Sequence, residues 1–358
     1  MGFLKSVFNA VADPRLFFIL AGSSLFVLLW KRDRIASNTF AYGVFGFLTV
    51  FFAVGSFDPN FRLIVTKPDN VPIVGLIFLL VFFVWYAIRE AVLNDRRIAA
   101  GEGPIEKAES DRVWVWPDLV YTELIALIVC SVILIVWSIL LKAPLEQPAN
   151  PANTPNPSKA PWYFLGLQEM LVYFDPWLAG VVLPGLIIVG LICIPYVDKN
   201  PRGNGYYTFK ERKHEIVIFL FGFAVLWVSL IVLGTFLRGP NWNFFGPFEA
   251  WDVHKLEALT NVNLSEYIFV RGLRMGLPTQ WYIRELPGIL IVLFYVFGLP
   301  VLLARSWFKS YYEKLGAPRY YVSVFLFLTM MSLPIKMLAR WLFNLKYIVA
   351  IGEFFFNI

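Results

Sequence analysis

The feature that most constrains this chain is a series of eight long apolar runs: Leu16–Trp30, Thr39–Phe57, Val71–Ile88, Leu119–Leu141, Trp177–Tyr196, Ile216–Leu237, Leu286–Ala304 and Tyr320–Ile335. A helix that crosses a bilayer needs about 20 mostly apolar residues. The first and last runs are short, so they recruit flanking residues or let Arg15, Lys31, Arg319 and Lys336 snorkel to the interface. Backbone groups in lipid must bond within their own segment, and the alternating pattern of barrel strands is absent; the runs therefore read as helices. The expected fold is all-α, a polytopic membrane protein with about eight transmembrane helices. Composition agrees. Hydrophobic residues make up 58% of the 358 residues and charged residues 16%, against roughly 25% charged in a soluble domain. Disorder and a disulfide scaffold are excluded, because the chain is too apolar for the first and its two cysteines, Cys130 and Cys193, lie inside apolar runs.

The first run lacks a small-residue cleavage site and is followed by Lys31, Arg32 and Arg34, so it reads as a retained helix rather than a signal peptide. Basic residues set the orientation. Alternate connections carry Lys31, Arg32 and Arg34; then Arg89, Arg96, Arg97, Lys107 and Arg112; then Lys199, Arg202, Lys210, Arg212 and Lys213; then Arg305, Lys309, Lys314 and Arg319. These compact loops should be cytoplasmic. Both termini and the segments 58–70, 142–176 and 238–285 then lie on the outer side. The net charge of +6 sits beside apolar runs, which is a topology signal and not a nucleic-acid patch.

Irregular chemistry has room in the two long outer segments. Lys142–Pro176 opens with Pro144, Pro148, Pro151, Pro155, Pro157 and Pro161, an extended stretch that cannot donate ladder hydrogen bonds. Trp162 to Phe174 then has helical propensity, an aromatic face and a proline at its start, and is expected to lie as a short helix on the membrane surface. Arg238–Glu285 is rich in Trp, Phe and Tyr, which suits interfacial anchoring or the docking of a partner subunit. Neither a phosphate loop nor a dinucleotide fingerprint nor a metal-spaced Cys/His cluster is present. The only two histidines, His214 and His254, are expected on opposite faces, so they cannot form a bis-histidine haem pair. The mid-helix cysteines are expected to be small packing residues.

Several of these residues, in this order, resemble a known family. Trp116-Pro117-Asp118-Leu119-Val120-Tyr121 opens the fourth helix, the proline-rich loop leads to Pro161-Trp162-Tyr163-Phe164, and the fifth helix ends in Ile194-Pro195-Tyr196-Val197-Asp198 followed by Asn200-Pro201. This resembles the C-terminal part of cytochrome b, in particular subunit IV of the cytochrome bf complex, over roughly residues 112–240. That family opens its first helix with Trp-Pro-Asn-Asp-Leu and carries Pro-Glu-Trp-Tyr-Phe in its outer loop. Two departures stand out. Pro161 occupies the place of the motif glutamate, which in the family is thought to accept a proton from quinol. Three helices precede the matching region and two follow it. The expected organisation is 1–111 as an N-terminal three-helix region, 112–240 as the subunit IV-like region and 241–358 as an outer loop with two further helices.

The resemblance implies a haem-free subunit of a bacterial cytochrome bc-type quinol:cytochrome c oxidoreductase in the inner (cytoplasmic) membrane. It would form walls of the quinone pockets and hold no redox centre of its own. Haem b, haem c and the 2Fe-2S cluster would belong to partners: a haem-carrying cytochrome b N-terminal subunit, a Rieske iron–sulfur protein and a c-type cytochrome, with the whole complex expected to be a homodimer surrounded by lipid. Trp162, Tyr163, Phe164 and Pro161 are the candidate quinone-binding residues, with Tyr163 supplying a hydroxyl. Glu169 is either an interfacial charge or a substitute for the absent glutamate. Glu123, about one turn inside the fourth helix, is expensive in a membrane. It either snorkels or pairs with a basic residue such as Arg112, or it exchanges a proton at an inner quinone site. Asp118 suits a helix N-terminus. Two other classes remain open, a structural membrane anchor of another respiratory complex and a transporter. Against a transporter, the chain shows neither an internal repeat nor paired broken helices.

Overall fold

The computed structural model describes residues 2–108, 113–140, 148–199, 205–258 and 260–358. Among them, seven helices are long and apolar enough to cross a membrane: Asn38–Gly55, Val71–Ala99, Val115–Leu140, Leu178–Val197, Lys213–Leu237, Leu286–Arg305 and Ala317–Phe343. An eighth span counts if the bent pair Gly2–Val11 and Pro14–Trp30 is taken as one. The protein is thus an all-α polytopic membrane protein, with a two-residue-per-strand hairpin, Ala350–Ile351 against Phe356–Asn357, near its end.

Local sequence explains where these helices begin. Ser37 caps Asn38–Gly55 by accepting the Phe40 amide at 3.2 Å, and Asp58 caps the short helix Pro59–Val65 through the amides of Asn60 and Phe61. Each serves an amide that the first helical turn leaves without a partner. Asp13 does the same for Arg15 at 3.0 Å, and with Pro14 it marks the 78° bend between the first two helices. The first run therefore starts close to its expected place, but an additional helix, Gly2–Val11, precedes it.

Two helices extend well past their apolar runs. Val71–Ala99 continues beyond Ile88 because its polar turns are held: Asn94, fully buried, donates to Glu106 and to the Tyr207 carbonyl and accepts the Ile105 amide. The Asp95 carboxylate accepts the Lys210 amide at 3.2 Å. Ala317–Phe343 continues seven residues beyond Lys336 in spite of that charge, because the Lys336 ammonium folds back onto the Lys346 carbonyl at 2.8 Å.

The chain forms two compact units. One comprises residues 27–155 and 204–216; its buried contacts include Ile35, Ile88 and Val92 with Leu28, Val84 and Trp85 around them. Its Val115–Leu140 helix buries none of its residues. The other comprises residues 1–26, 156–203 and 217–358. Its core joins Met170, Tyr173, Phe174, Ala179, Leu183, Leu226, Leu230, Leu333 and Met337. At one end of this unit the N-terminal helix meets the 238–285 segment (Phe248 N to Asn9 Oδ1, 3.0 Å), the proline loop meets the same segment (Asn156 Nδ2 to Asn241 Oδ1, 2.9 Å), and the C-terminal tail meets Asp175 and Trp177. At the other end the basic turns meet: Lys199 donates to the Lys314 carbonyl and Arg319 to the Tyr196 carbonyl.

Candidate functional site

Helix Trp162–Met170 starts directly after Pro161, whose missing amide hydrogen costs nothing there and whose carbonyl accepts the Phe164 amide at 2.8 Å. The loop before it is tied back. The Gln168 side chain accepts the Ala160 amide at 2.8 Å and donates to the Ser158 carbonyl at 2.9 Å. The Lys159 ammonium donates to the Thr235 carbonyl at 2.9 Å and lies 5.1 Å from the Trp251 ring. A proline-rich strand offers few amide donors of its own, so these side chains supply the anchoring.

The helix is two-faced. Leu165, Gly166, Glu169 and Met170 are buried against the last turns of Lys213–Leu237, where Gly234 permits the approach: a Cβ there would sit 3.3 Å from the Leu165 carbonyl oxygen. Those turns, Leu233–Leu237, are wound as a π-helix, a form that is rare and is frequently found at functional sites. The opposite face presents Tyr163 and Phe164, 53% and 52% exposed. The Trp162 and Tyr163 rings meet edge to face at 5.6 Å, and Tyr163 and Phe164 lie 4.8 Å apart. The structure thus forms an aromatic ridge in which Pro161, Tyr163 and Phe164 are exposed and Trp162 is half-buried beside them.

Glu169 points the other way. It is fully buried and forms a two-bond ion pair with Arg238, Nη2 to Oε1 at 2.7 Å and Nε to Oε2 at 3.0 Å. Arg238 is itself 6% exposed, lies 3.6 Å from the Phe244 ring centre and donates to the Trp242 carbonyl. The expectation of an interfacial charge is therefore corrected: Glu169 faces inward, and one planar guanidinium occupies both of its oxygens. This fork-to-fork geometry is the strongest side-chain pairing available to a carboxylate. Beside it lies Tyr173, 1% exposed, whose hydroxyl has no hydrogen-bond partner among the described residues. Burial, and secondarily the Glu169 charge, push that phenol above its ordinary range.

Arg238, Tyr173 and Trp242 carried no sequence signal as site residues. Arg238 marked only the end of an apolar run, and its partner lies 69 positions earlier. The clue available was the lone carboxylate inside an otherwise apolar helix, which burial obliges to find a cation.

Glu123 belongs to the unit formed by residues 27–155 and 204–216. It is exposed on Val115–Leu140 and has no partner among the described residues; Arg112, the suggested partner, lies outside them. Asp118 is exposed near the start of the same helix, where its carbonyl accepts the Thr122 hydroxyl. His214 and His254 are both exposed, the first in the unit formed by residues 27–155 and 204–216 and the second in the other unit.

Residues 148–248 match the family model described as cytochrome b (C-terminal)/b6/petD. The match spans the aromatic helix, Glu169 and Arg238, so this region of the membrane-spanning chain is similar to the C-terminal part of cytochrome b. No solved structure matches the chain.

Proposed function

We propose that this chain is a haem-free membrane subunit of a cytochrome bc-type quinol oxidoreductase and that the Trp162–Met170 helix forms one wall of its outer quinol site. The observation that carries the reading is the cytochrome b C-terminal match over residues 148–248, coupled with an aromatic ridge at Trp162–Phe164 whose supporting helix is clamped from beneath by Glu169 and Arg238. A quinol head group needs an apolar slot and a hydrogen-bond partner at each ring oxygen. Trp162 and Phe164 offer the slot, and the Tyr163 hydroxyl one partner. Pro161 cannot take a proton, and Glu169 is committed to Arg238, so the proton acceptor is a carboxylate of a partner subunit.

A 2Fe-2S cluster and haem b, held by partner subunits, would each take one of the two electrons that quinol gives up. In this reading the helix end that carries the ridge, the N-terminal helix and the tail faces the outer side of a bacterial cytoplasmic membrane, and the basic turns face inward. Glu123 is a candidate for proton exchange at an inner quinone site. Affinity purification of the tagged chain under mild detergent tests the proposal. A two-haem b-type spectrum and the paramagnetic signal of a reduced Rieske cluster should accompany it in proportion. Purification without either would refute it and favour an anchor or a transporter.

A further inference from the structure

Three cations gather where Ala317–Phe343 ends, and none of them forms an ion pair among the described residues. Lys336 is 2% exposed. Its ammonium has one hydrogen bond, to the Lys346 carbonyl at 2.8 Å, and otherwise faces the rings of Phe174 and Tyr347 at 5.7 and 5.8 Å. Arg340 lies one helical turn further on and donates through Nη1 to the carbonyls of Thr260 and Asn344, both at 3.2 Å. Lys346 donates to the Val172 carbonyl at 3.3 Å. The charges acting on Lys336 are those of Lys346 and Arg340, both positive. The acid that acts on Lys346 is Asp175, and its Oδ1 is already shared by the Tyr347 hydroxyl at 3.0 Å and the Asn357 amide at 3.3 Å.

Such a group is costly as it stands. Charges withdrawn from water are normally paired, and backbone carbonyls answer only part of the need. Burial and the Arg340 guanidinium accordingly push the Lys346 ammonium below its ordinary range. A guanidinium has five N–H donors and an ammonium three, so Arg340 and Lys346 retain donors of the kind that grip a tetrahedral oxyanion. The cluster lies at the end of a membrane-length helix, the level of lipid head groups, where Arg and Lys donors can meet the phosphate of an anionic lipid. Leu342 and Phe343 beside Arg340 are 64% and 58% exposed, apolar surface that suits an acyl chain.

We propose that Arg340 and Lys346, backed by the buried charge of Lys336, bind a phosphate group, namely that of an anionic phospholipid. This does not depend on the quinol reading. The full chain, purified in detergent and stripped of lipid, would be titrated with phosphatidylglycerol, phosphatidylcholine or inorganic phosphate. Native mass spectrometry would count bound lipid and a thermal melt would follow stability. The wild type should retain phosphatidylglycerol and melt higher with it, while phosphatidylcholine has no such effect. Arg340→Gln with Lys346→Gln should abolish the difference, and Lys309→Gln, an exposed control, should keep it. An equal response to inorganic phosphate would support the phosphate site and assign its occupant to solution. If the wild type itself shows no preference for the anionic lipid, the proposal falls whether or not the double variant folds. Retention of that preference by a folded double variant overturns it equally.

Discussion

Replacing Glu169 by glutamine should destabilise the protein by about 3 kcal/mol. Removing one member of a buried ion pair costs about 3–5 kcal/mol, because the other charge stays buried without a partner. Arg238 would be left at 6% exposure beside an uncharged amide. Glutamine keeps the volume and one carbonyl acceptor, so one of the two bonds at 2.7 and 3.0 Å survives and the lower end of that range applies. An exposed pair such as Lys309–Glu313, 4.0 Å apart at 68% and 63% exposure, should give no more than about 1 kcal/mol in the same experiment. The double variant Glu169→Leu with Arg238→Met removes both charges and should lie nearer the wild type than either single change, since no charge is left stranded. Unfolding followed by loss of helical circular dichroism, arranged as a double-mutant cycle, measures the coupling directly. The reasoning is refuted if Glu169→Gln unfolds with the wild type. If that variant instead loses quinol oxidation at full stability, Glu169 moves protons and is not the clamp described above.

Further expectations concern the ridge, the tail and alkaline pH. Tyr163→Phe should slow quinol oxidation in the assembled complex without loss of subunits, and Trp162→Ala should reduce both turnover and assembly; steady-state quinol:acceptor rates with subunit quantification separate the two. Gly288→Ala should cost about 1–3 kcal/mol, because its Cβ would lie 2.1 Å from the Ile348 carbonyl oxygen, a backbone atom with little freedom to retreat; thermal melts check this. Burial, then the hydrogen bond to Asp175, push the Tyr347 phenol up from 10.0 to about 12. A group held protonated by the fold contributes stability that is complete below its unfolded pKa and is lost as pH rises through the folded one. Tyr347→Phe should therefore flatten the loss of stability between pH 10 and about 12, and an unchanged alkaline limb would rule out this tail contact as its source.

The membrane helices were legible because apolar length is a local property. A run such as Leu286–Ala304 needs no knowledge of its neighbours, and the helix found, Leu286–Arg305, departs from it by one residue. The same rule failed at Tyr320–Ile335, which stopped at Lys336. Whether a lysine ends a helix depends on where its ammonium can go, and the carbonyl that receives it belongs to Lys346, beyond the helix. The aromatic ridge was legible from motif order and from the proline before it. The inward turn of Glu169 was not, since nothing in Trp162–Met170 names Arg238 as its partner. That choice is made by packing, where Gly234 lets the two helices close to contact.

The central claim, that the Trp162–Phe164 ridge meets quinol, is tested most directly by a photoreactive quinone analogue applied to the purified complex. Peptide mapping should place the label on this chain within the segment around Trp162, Tyr163 and Phe164, and an excess of unlabelled quinol should remove it. Labelling confined to other subunits, or unaffected by the competitor, would contradict the account.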